Sequence, residues 1–176
     1  MSLVYGVEKL DRCWNELMVI ASQHWNETEG FRRGEPFAPS FSRYAECERI
    51  GFFTMFTARD GEKLVGYAGM YTTQSMHSQV TIAVEDQWFL LPEYRKGRNA
   101  LAFVRYVEWF LSMRGVRAIQ MSAKLANGAG RILEYLDYQA VSTVYFKSLD
   151  RADSAQDQPA VMLENADVRA QPAPAA

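Results

Sequence analysis

One segment constrains the fold more than any other, a long apolar strand that ends at a proline and leads directly into a basic turn and a helix. This strand is predicted from about Val80 to Leu91; it alternates at first and is continuously apolar over Trp88–Leu91. A strand that is apolar on successive residues is covered on both faces. Pro92 ends it, because proline cannot donate to a strand ladder. The chain therefore needs a central strand with helices on both sides of its sheet.

The remaining segments supply those neighbours. Helices are predicted where apolar residues recur at helical spacing, and strands where β-branched and aromatic residues lie between turn residues such as Asp60-Gly61. The helices are Val7–Glu27, Phe41–Arg49, Arg98–Met113 and Gly130–Leu136, and the other strands are Phe52–Ala58, Leu64–Thr73, Val116–Ala123 and Val141–Leu149. This predicts an α/β (α+β) fold of order α-α-β-β-β-α-β-α-β, with a mixed central sheet flanked by helices.

Length and composition predict one domain and a tail. The chain has 176 residues, of which 48% are hydrophobic and 13% aromatic, enough to bury a core within a single domain over residues 1–150. Residues 151–176 are rich in Ala, Pro, Gln and Asp, and we predict a disordered C-terminal tail there. The short apolar stretch Val161–Leu163 leaves open an alternative, in which the tail docks on the domain or on a second subunit of a homodimer.

Charge and cysteine content exclude several classes of protein. A net charge of -2 argues against a protein that coats nucleic acid, since that task needs a basic surface. Cys13 and Cys47 have no paired spacing, which favours free thiols in a reducing, cytoplasmic compartment over a disulfide or a metal site. The first residues lack a signal-peptide pattern, and no apolar run reaches the ~20 residues of a membrane span. We expect a cytoplasmic protein without membrane or nucleic-acid partners.

The turn after the central strand has the composition of an anion site. It carries three basic residues around a glycine, Arg95, Lys96, Gly97 and Arg98, immediately before a helix. Free N–H groups and the dipole at a helix N-terminus favour an anion such as a pyrophosphate. Gly97 permits a close backbone approach or a positive φ. Residue types alone favour a solvated basic turn with a helix start, and the order of elements shifts the balance towards the anion site.

With this turn and this order of helices and strands, the chain resembles the GNAT acyltransferases from Phe52 to Leu149. That family has a strand ending in a V-x-P-x-Y-R type stretch and a turn of pattern Arg/Gln-x-x-Gly-x-Gly/Ala that binds the CoA pyrophosphate. Here the stretch is LLPEYR over Leu90–Arg95, followed by KGRNA; Gly97 stands one place early and Arg98 takes a glycine position. The residue sequence YRKGRNA, Tyr94–Ala100, looks most like that of acetyltransferase-like proteins of tailed bacteriophages.

The resemblance implies acetyl-CoA as cofactor. The family pattern then assigns cofactor binding to one set of positions in this chain, Leu90, Leu91, Arg95, Lys96, Gly97, Arg98, Asn99, Ala100 and Asn127. Among them, the Leu90 amide is the candidate for holding the pantetheine or acyl carbonyl. The position of the family's general-acid tyrosine falls on Leu133, so no general acid is carried over.

The implied activity is transfer of an acetyl group to a primary amine of a small molecule or a protein by direct attack. The candidate bases are Asp86 and, second, Glu85, because burial raises the pKa of a carboxylate towards neutrality. Asp86 lies four residues before Leu90, where some polyamine-acetylating relatives carry an acidic residue. His24 belongs either to a solvated helix end or to the acceptor site. Two alternatives stay open: a catalytically weak acyl-CoA-binding protein, and a phage-associated structural or binding protein that keeps the fold.

Overall fold

The computed structural model describes residues 3–30, 35–125 and 128–147. Its elements are β1 (Val4–Val7), α1 (Leu10–Thr28), α2 (Phe41–Arg49), β2 (Phe53–Asp60), β3 (Lys63–Gln74), β4 (Thr81–Leu90), a short 3-10 turn (Pro92–Tyr94), α3 (Asn99–Met113), β5 (Ala118–Gln120) and α4 (Ala129–Tyr135). The five strands form one sheet in the order β1-β2-β3-β4-β5. Neighbours among β1–β4 pair antiparallel and β5 pairs parallel to β4, so the sheet is mixed as predicted.

Helices cover both faces of the sheet. On one face, Tyr44 of α2 packs against Phe53 of β2 with 5.1 Å between ring centroids, and α1 places His24 on Phe89 of β4. On the other face, Phe110 of α3 packs edge-on against Phe56 of β2 at 5.3 Å. Successive residues of a strand point to opposite faces, so β2 serves both layers of the core. The predicted fold class is confirmed.

The element order differs from the prediction at the N-terminus. Residues Val4–Val7 form a strand paired with β2, and α1 begins only at Leu10. The Tyr5 ring stacks on Phe103 of α3 at 5.4 Å, which explains why the segment is held against the sheet. A four-residue strand is too short to show a period in the sequence, so the helical pattern that follows masks it.

The predicted last strand, Val141–Leu149, is wrong over the residues that the structure describes. Residues 141–147 form neither strand nor helix. Alternating β-branched and aromatic residues indicate that the side chains suit the surface of a sheet. A strand also needs a partner strand, which residue type does not predict. The chain divides into two units, with the boundary between Ser142 and Thr143. All the elements above belong to the first unit, and the predicted tail 151–176 lies outside the described residues.

Across the described ranges, none of the helices combines the length and the apolar character that crossing a bilayer requires.

Candidate active site

A cleft of about 530 Å³ opens where β4 and β5 separate. Their parallel pairing ends at Val84 and Gln120, while β4 continues as far as Leu90. The cleft is lined by the β4 segment Glu85–Leu90, by the C-terminal half of α1, by Ser122 beyond β5 and by the start of α4. Separation of the two strands therefore exposes one edge of β4 inside a cleft.

A β-bulge in β4 lies at Asp86. Glu85 pairs with Met70 of β3 and Gln87 pairs with Gly69, which leaves Asp86 as the extra residue between them. The Asp86 carboxylate accepts a hydrogen bond from α2, and the Gln87 side chain accepts one from Tyr67, whose ring faces α1. Both side chains thus point to the α1/α2 face, although they are adjacent in sequence. Bulges commonly re-aim side chains next to active sites.

The two candidate carboxylates have different surroundings. The Asp86 Oδ2 atom accepts a hydrogen bond of 2.8 Å from the Tyr44 hydroxyl, and the residue is exposed to the cleft. Enclosure by the cleft walls raises the pKa of Asp86, and the Tyr44 hydrogen bond opposes that rise. Glu85 is held by Ser122, whose N–H and hydroxyl donate to Oε2 at 3.1 and 2.5 Å. Burial also raises the pKa of Glu85 against those two bonds. Asp86 is thus the more accessible carboxylate.

His24 lies in the wall of the cleft and not at a solvated helix end. Its Nδ1 atom is 2.8 Å from the Tyr67 hydroxyl, and its ring stacks on Phe89 with centroids 4.7 Å apart. Burial lowers the pKa of His24 to about 4. The imidazole is therefore neutral near pH 7, and its Nδ1 atom is occupied by a buried tyrosine.

The basic turn leads into α3 through a left-handed glycine. Gly97 has φ +72°, as its position in the sequence allows, and α3 begins two residues later at Asn99. The first backbone N–H bonded within the helix is that of Ala102, which donates to the Arg98 carbonyl at 2.8 Å, so the N–H groups before it lie at the helix end. Within the described ranges, the exposed side chain of Lys96 has no ionic partner, and neither has that of Arg98.

Arg95 differs from the other two basic residues of the turn. Its guanidinium makes a bidentate ion pair with Glu27 of α1 at 2.8 and 2.7 Å. Its Nε donates to the Leu90 carbonyl at 2.7 Å, and the group lies 4.9 Å from the centre of the Phe89 ring. The charge of Arg95 is already neutralised, and the side chain connects the end of α1 to the end of β4.

The exposed edge of β4 presents the Leu90 amide. The Leu91 N–H donates to Val65 of β3 at 2.9 Å, and neighbouring amides of a strand point to opposite edges. The Leu90 N–H and carbonyl therefore face the gap towards β5, which is the side from which Arg95 reaches the carbonyl. Asn127, also predicted to contact the cofactor, lies outside the described residues.

Three further residues of the candidate site were not among those predicted from the sequence. Tyr44 and Gln87 line the cleft, and Tyr67 is fully buried behind it and contacts His24. The spacing of Phe41 and Tyr44 along the predicted second helix is the one sequence sign that this tyrosine faces the sheet. Among the predicted site residues that the structure describes, Glu85, Asp86, Leu90, Arg95 and Ala100 line the cleft, whereas Leu91 and Lys96–Asn99 do not.

No family model matches the chain, and no curated protein matches it by sequence. Solved structures do match. The aminoglycoside acetyltransferase meta-AAC0020 from an uncultured soil metagenomic sample, in complex with trehalose, superposes with a TM-score of 0.67 at 11% identity, over 84% of this chain and 96% of that chain. The ribosomal-protein-alanine N-acetyltransferase from Brucella melitensis biovar Abortus 2308 superposes with a TM-score of 0.65 at 16% identity, over 84% of this chain and 99% of that chain. AAC(6')-Iy, in complex with the bisubstrate analog CoA-S-monomethyl-acetylneamine, superposes with a TM-score of 0.64 at 15% identity, over 84% of this chain and 98% of that chain. The chain therefore has the fold of the GNAT acetyltransferases.

Proposed function

We propose that this protein is an acetyl-CoA-dependent N-acetyltransferase that acts on a primary amine. The observation that carries the proposal is the opening of β4 away from β5, which aligns three features along one cleft. The Leu90 N–H faces the gap, the turn at Gly97 lies beyond it, and Asp86 lies on the other side. The bisubstrate CoA analog bound by AAC(6')-Iy, a protein of the same fold, supports this assignment.

The N-terminal end of α3 suits the diphosphate of CoA. Its first N–H groups, from Asn99 and Ala100 onwards, precede the first intrahelical hydrogen bond, and a helix N-terminus favours a bound anion. Lys96 and Arg98 add positive charge without an ion pair among the described residues. The backbone of Leu90 completes the proposed contact along the pantetheine, whereas the N–H of Leu91 is already bonded to Val65 of β3. Asn127 remains a proposed contact.

Acetyl-CoA bound in this way would supply a thioester as the acetyl donor. Asp86 would accept the proton of the attacking ammonium or amine, and a raised pKa suits a carboxylate to that task. The Leu90 N–H would donate a hydrogen bond to the acyl oxygen, where negative charge develops during transfer. Glu85 is the second candidate base, although its Oε2 atom already accepts two bonds from Ser122.

A catalytically weak acyl-CoA-binding protein is the second candidate function. Leu133 is 6% exposed and occupies the position of the general-acid tyrosine, so this residue offers no proton to a leaving thiolate. Arg98 takes the place of a glycine in the turn pattern. Both observations favour binding over efficient turnover.

Two measurements separate the proposals. Acetyl-CoA at 100 times its dissociation constant should stabilise the protein by about 2.7 kcal/mol in a thermal-shift assay. Release of CoA with a panel of primary amines then tests transfer, with Asp86→Asn as the variant that keeps acetyl-CoA affinity and loses turnover. Binding without release of CoA would favour the weak binder. Absence of binding would remove both proposals and leave a structural or binding protein that keeps the fold.

A further inference from the structure

A second pocket of about 340 Å³ adjoins the cleft, between α1, α2 and residues 35–39. We call it the α1–α2 pocket. Its walls are mainly apolar and aromatic, and their principal members are Trp14, Leu17, Met18, Trp25, Phe37 and Met55. Two of its aromatic rings contact each other, since Trp25 and Phe37 lie 5.9 Å apart between centroids. A space of this composition favours an apolar or aromatic group.

The α1–α2 pocket shares part of its wall with the cleft that holds the proposed site of transfer. Tyr44 and Gln87 line both spaces. The Tyr44 hydroxyl donates to Asp86, while its ring packs 6.0 Å from the ring of Trp14 in the pocket wall. An amine placed at Asp86 therefore has the mouth of the α1–α2 pocket next to it, and its substituent can enter that pocket.

The charges of the pocket select against a polycationic acceptor. Among the lining residues that the structure describes, Glu35 is the single carboxylate, and the neighbouring polar group, Gln87, is neutral. Transferring several ammonium groups from water to apolar walls without matching carboxylates is costly. An acceptor with one amine and one apolar ring places its charge next to the Asp86 carboxylate and its ring against the apolar walls of the pocket.

We propose that the acceptor is a small primary amine that carries one aromatic ring, with the ring in the α1–α2 pocket and the amine at Asp86. This inference rests on the proposed acetyl transfer and specifies its substrate class. It differs from the acceptors named for the aminoglycoside acetyltransferases of similar fold. Apolar cavities of about 150 Å³ already bind benzene, so the α1–α2 pocket has room for a ring and a two-carbon linker.

The test compares two amines that differ only in the ring. We expect kcat/KM for phenethylamine to exceed that for ethylamine by roughly 10- to 100-fold, because the ring is removed from water. An aminoglycoside should be the poorest of the three substrates. Equal values for phenethylamine and ethylamine, or a preference for the aminoglycoside, would overturn the inference and leave acetyl transfer in place.

Variants in the pocket wall test where the ring binds. Met18→Glu places a charge among the apolar walls, and Ala38→Trp fills the pocket from an exposed position that should not disturb folding. Each should reduce kcat/KM for phenethylamine about 10-fold or more. The matched control is Val19→Glu, which introduces the same charge on the next residue of α1, where the side chain is 64% exposed. A loss in Val19→Glu equal to that in Met18→Glu would contradict binding in this pocket.

Binding is measured separately from turnover through tryptophan fluorescence, because Trp14 and Trp25 line the pocket. Phenethylamine should change the emission, and ethylamine should not. One outcome is that phenethylamine changes the tryptophan emission of the wild type but not of Met18→Glu, and that it is never acetylated. In that case the pocket assignment stands and acetyl transfer fails. If other amines are acetylated and phenethylamine neither binds nor reacts, the inference fails and acetyl transfer stands.

Discussion

Arg95 and Arg98 belong to the same basic turn, yet their substitution should have different effects. Arg95→Ala removes the bidentate ion pair to Glu27, the hydrogen bond to the Leu90 carbonyl and the contact with the Phe89 ring. Arg98→Ala removes an exposed side chain without an ionic partner in the described part of the chain. We expect the first variant to lose stability and the second to lose only affinity for acetyl-CoA.

The magnitude follows from the contacts of Arg95. A partly exposed ion pair contributes up to about 1 kcal/mol, a hydrogen bond from a charged donor about 1.5 kcal/mol, and a ring contact at least about 0.5 kcal/mol. Such contributions to one side chain overlap, and a loss of roughly 2 kcal/mol in the free energy of unfolding is expected. For a chain of this size, that loss lowers Tm by about 4–8 °C.

Thermal unfolding and isothermal titration with acetyl-CoA measure the two effects. Arg98→Ala should keep the wild-type Tm and weaken acetyl-CoA binding roughly 5- to 10-fold, the effect of one phosphate contact. Arg105→Ala is the matched control, since Arg105 is an exposed arginine two turns further along α3. Glu27→Gln should lower Tm without weakening binding, because it frees the charge of Arg95. A wild-type Tm for Arg95→Ala, or a lowered Tm for Arg98→Ala, would refute this division of roles.

Three further predictions concern other parts of the site. Gly97→Ala should cost about 1–2 kcal/mol of stability and weaken acetyl-CoA binding, since a φ of +72° strains any residue with a Cβ; an unchanged Tm by thermal unfolding would argue against a fixed turn. Tyr44→Phe removes the hydrogen-bond donor that lowers the pKa of Asp86. Because kcat/KM is lost as pH falls through that pKa, the acidic limb of its pH profile should lie at higher pH in this variant than in the wild type. For His24, burial lowers the folded pKa to about 4 from 6.5, so the unfolded chain takes up a proton first and stability falls as pH drops from 6.5 to 4. Each pKa unit is worth 1.36 kcal/mol, which makes this loss roughly 3 kcal/mol; denaturant unfolding of His24→Gln should show a correspondingly smaller loss, whereas His77→Gln on an exposed loop should behave as wild type.

The elements that sequence predicts best are those with a long period or a clear end. The helix α3 follows a turn and carries apolar residues at helical spacing, and its observed range, Asn99–Met113, begins one residue after the predicted start. The central strand ends at Leu90, one residue before its predicted end at Leu91. Short strands behave differently, because β1 depends on an open edge of β2 and the segment 141–147 forms no strand despite suitable residue types. Strand formation depends on partners that lie far away in sequence.

Individual site residues were less predictable than their location. A glycine among basic residues before a helix indicates either a close backbone approach or a positive φ at Gly97, and the positive φ is observed. Sequence alone could not distinguish Arg95 from Arg98, because their difference is created by Glu27, which is 68 positions away from Arg95. The same holds for His24, whose neutral state depends on burial against Tyr67 and Phe89.

The bulge at Asp86 explains why strict alternation misleads at this site. In a regular strand, Asp86 and Leu90, four residues apart, would present their side chains on the same face. The extra residue in β4 instead places the Asp86 and Gln87 side chains together on the α1/α2 face, beside Tyr44. It also changes the alternation beyond it, so that Phe89 supports His24 while the Leu90 amide stays in the plane of the sheet and faces the gap. One irregular residue thereby lets a single strand present a carboxylate on the α1/α2 face, the proposed acceptor side, and an amide at the β4–β5 gap, the proposed donor side. Gly69, opposite the bulge, has a separate reason in packing, because a Cβ at this position would lie 2.7 Å from the Phe53 ring.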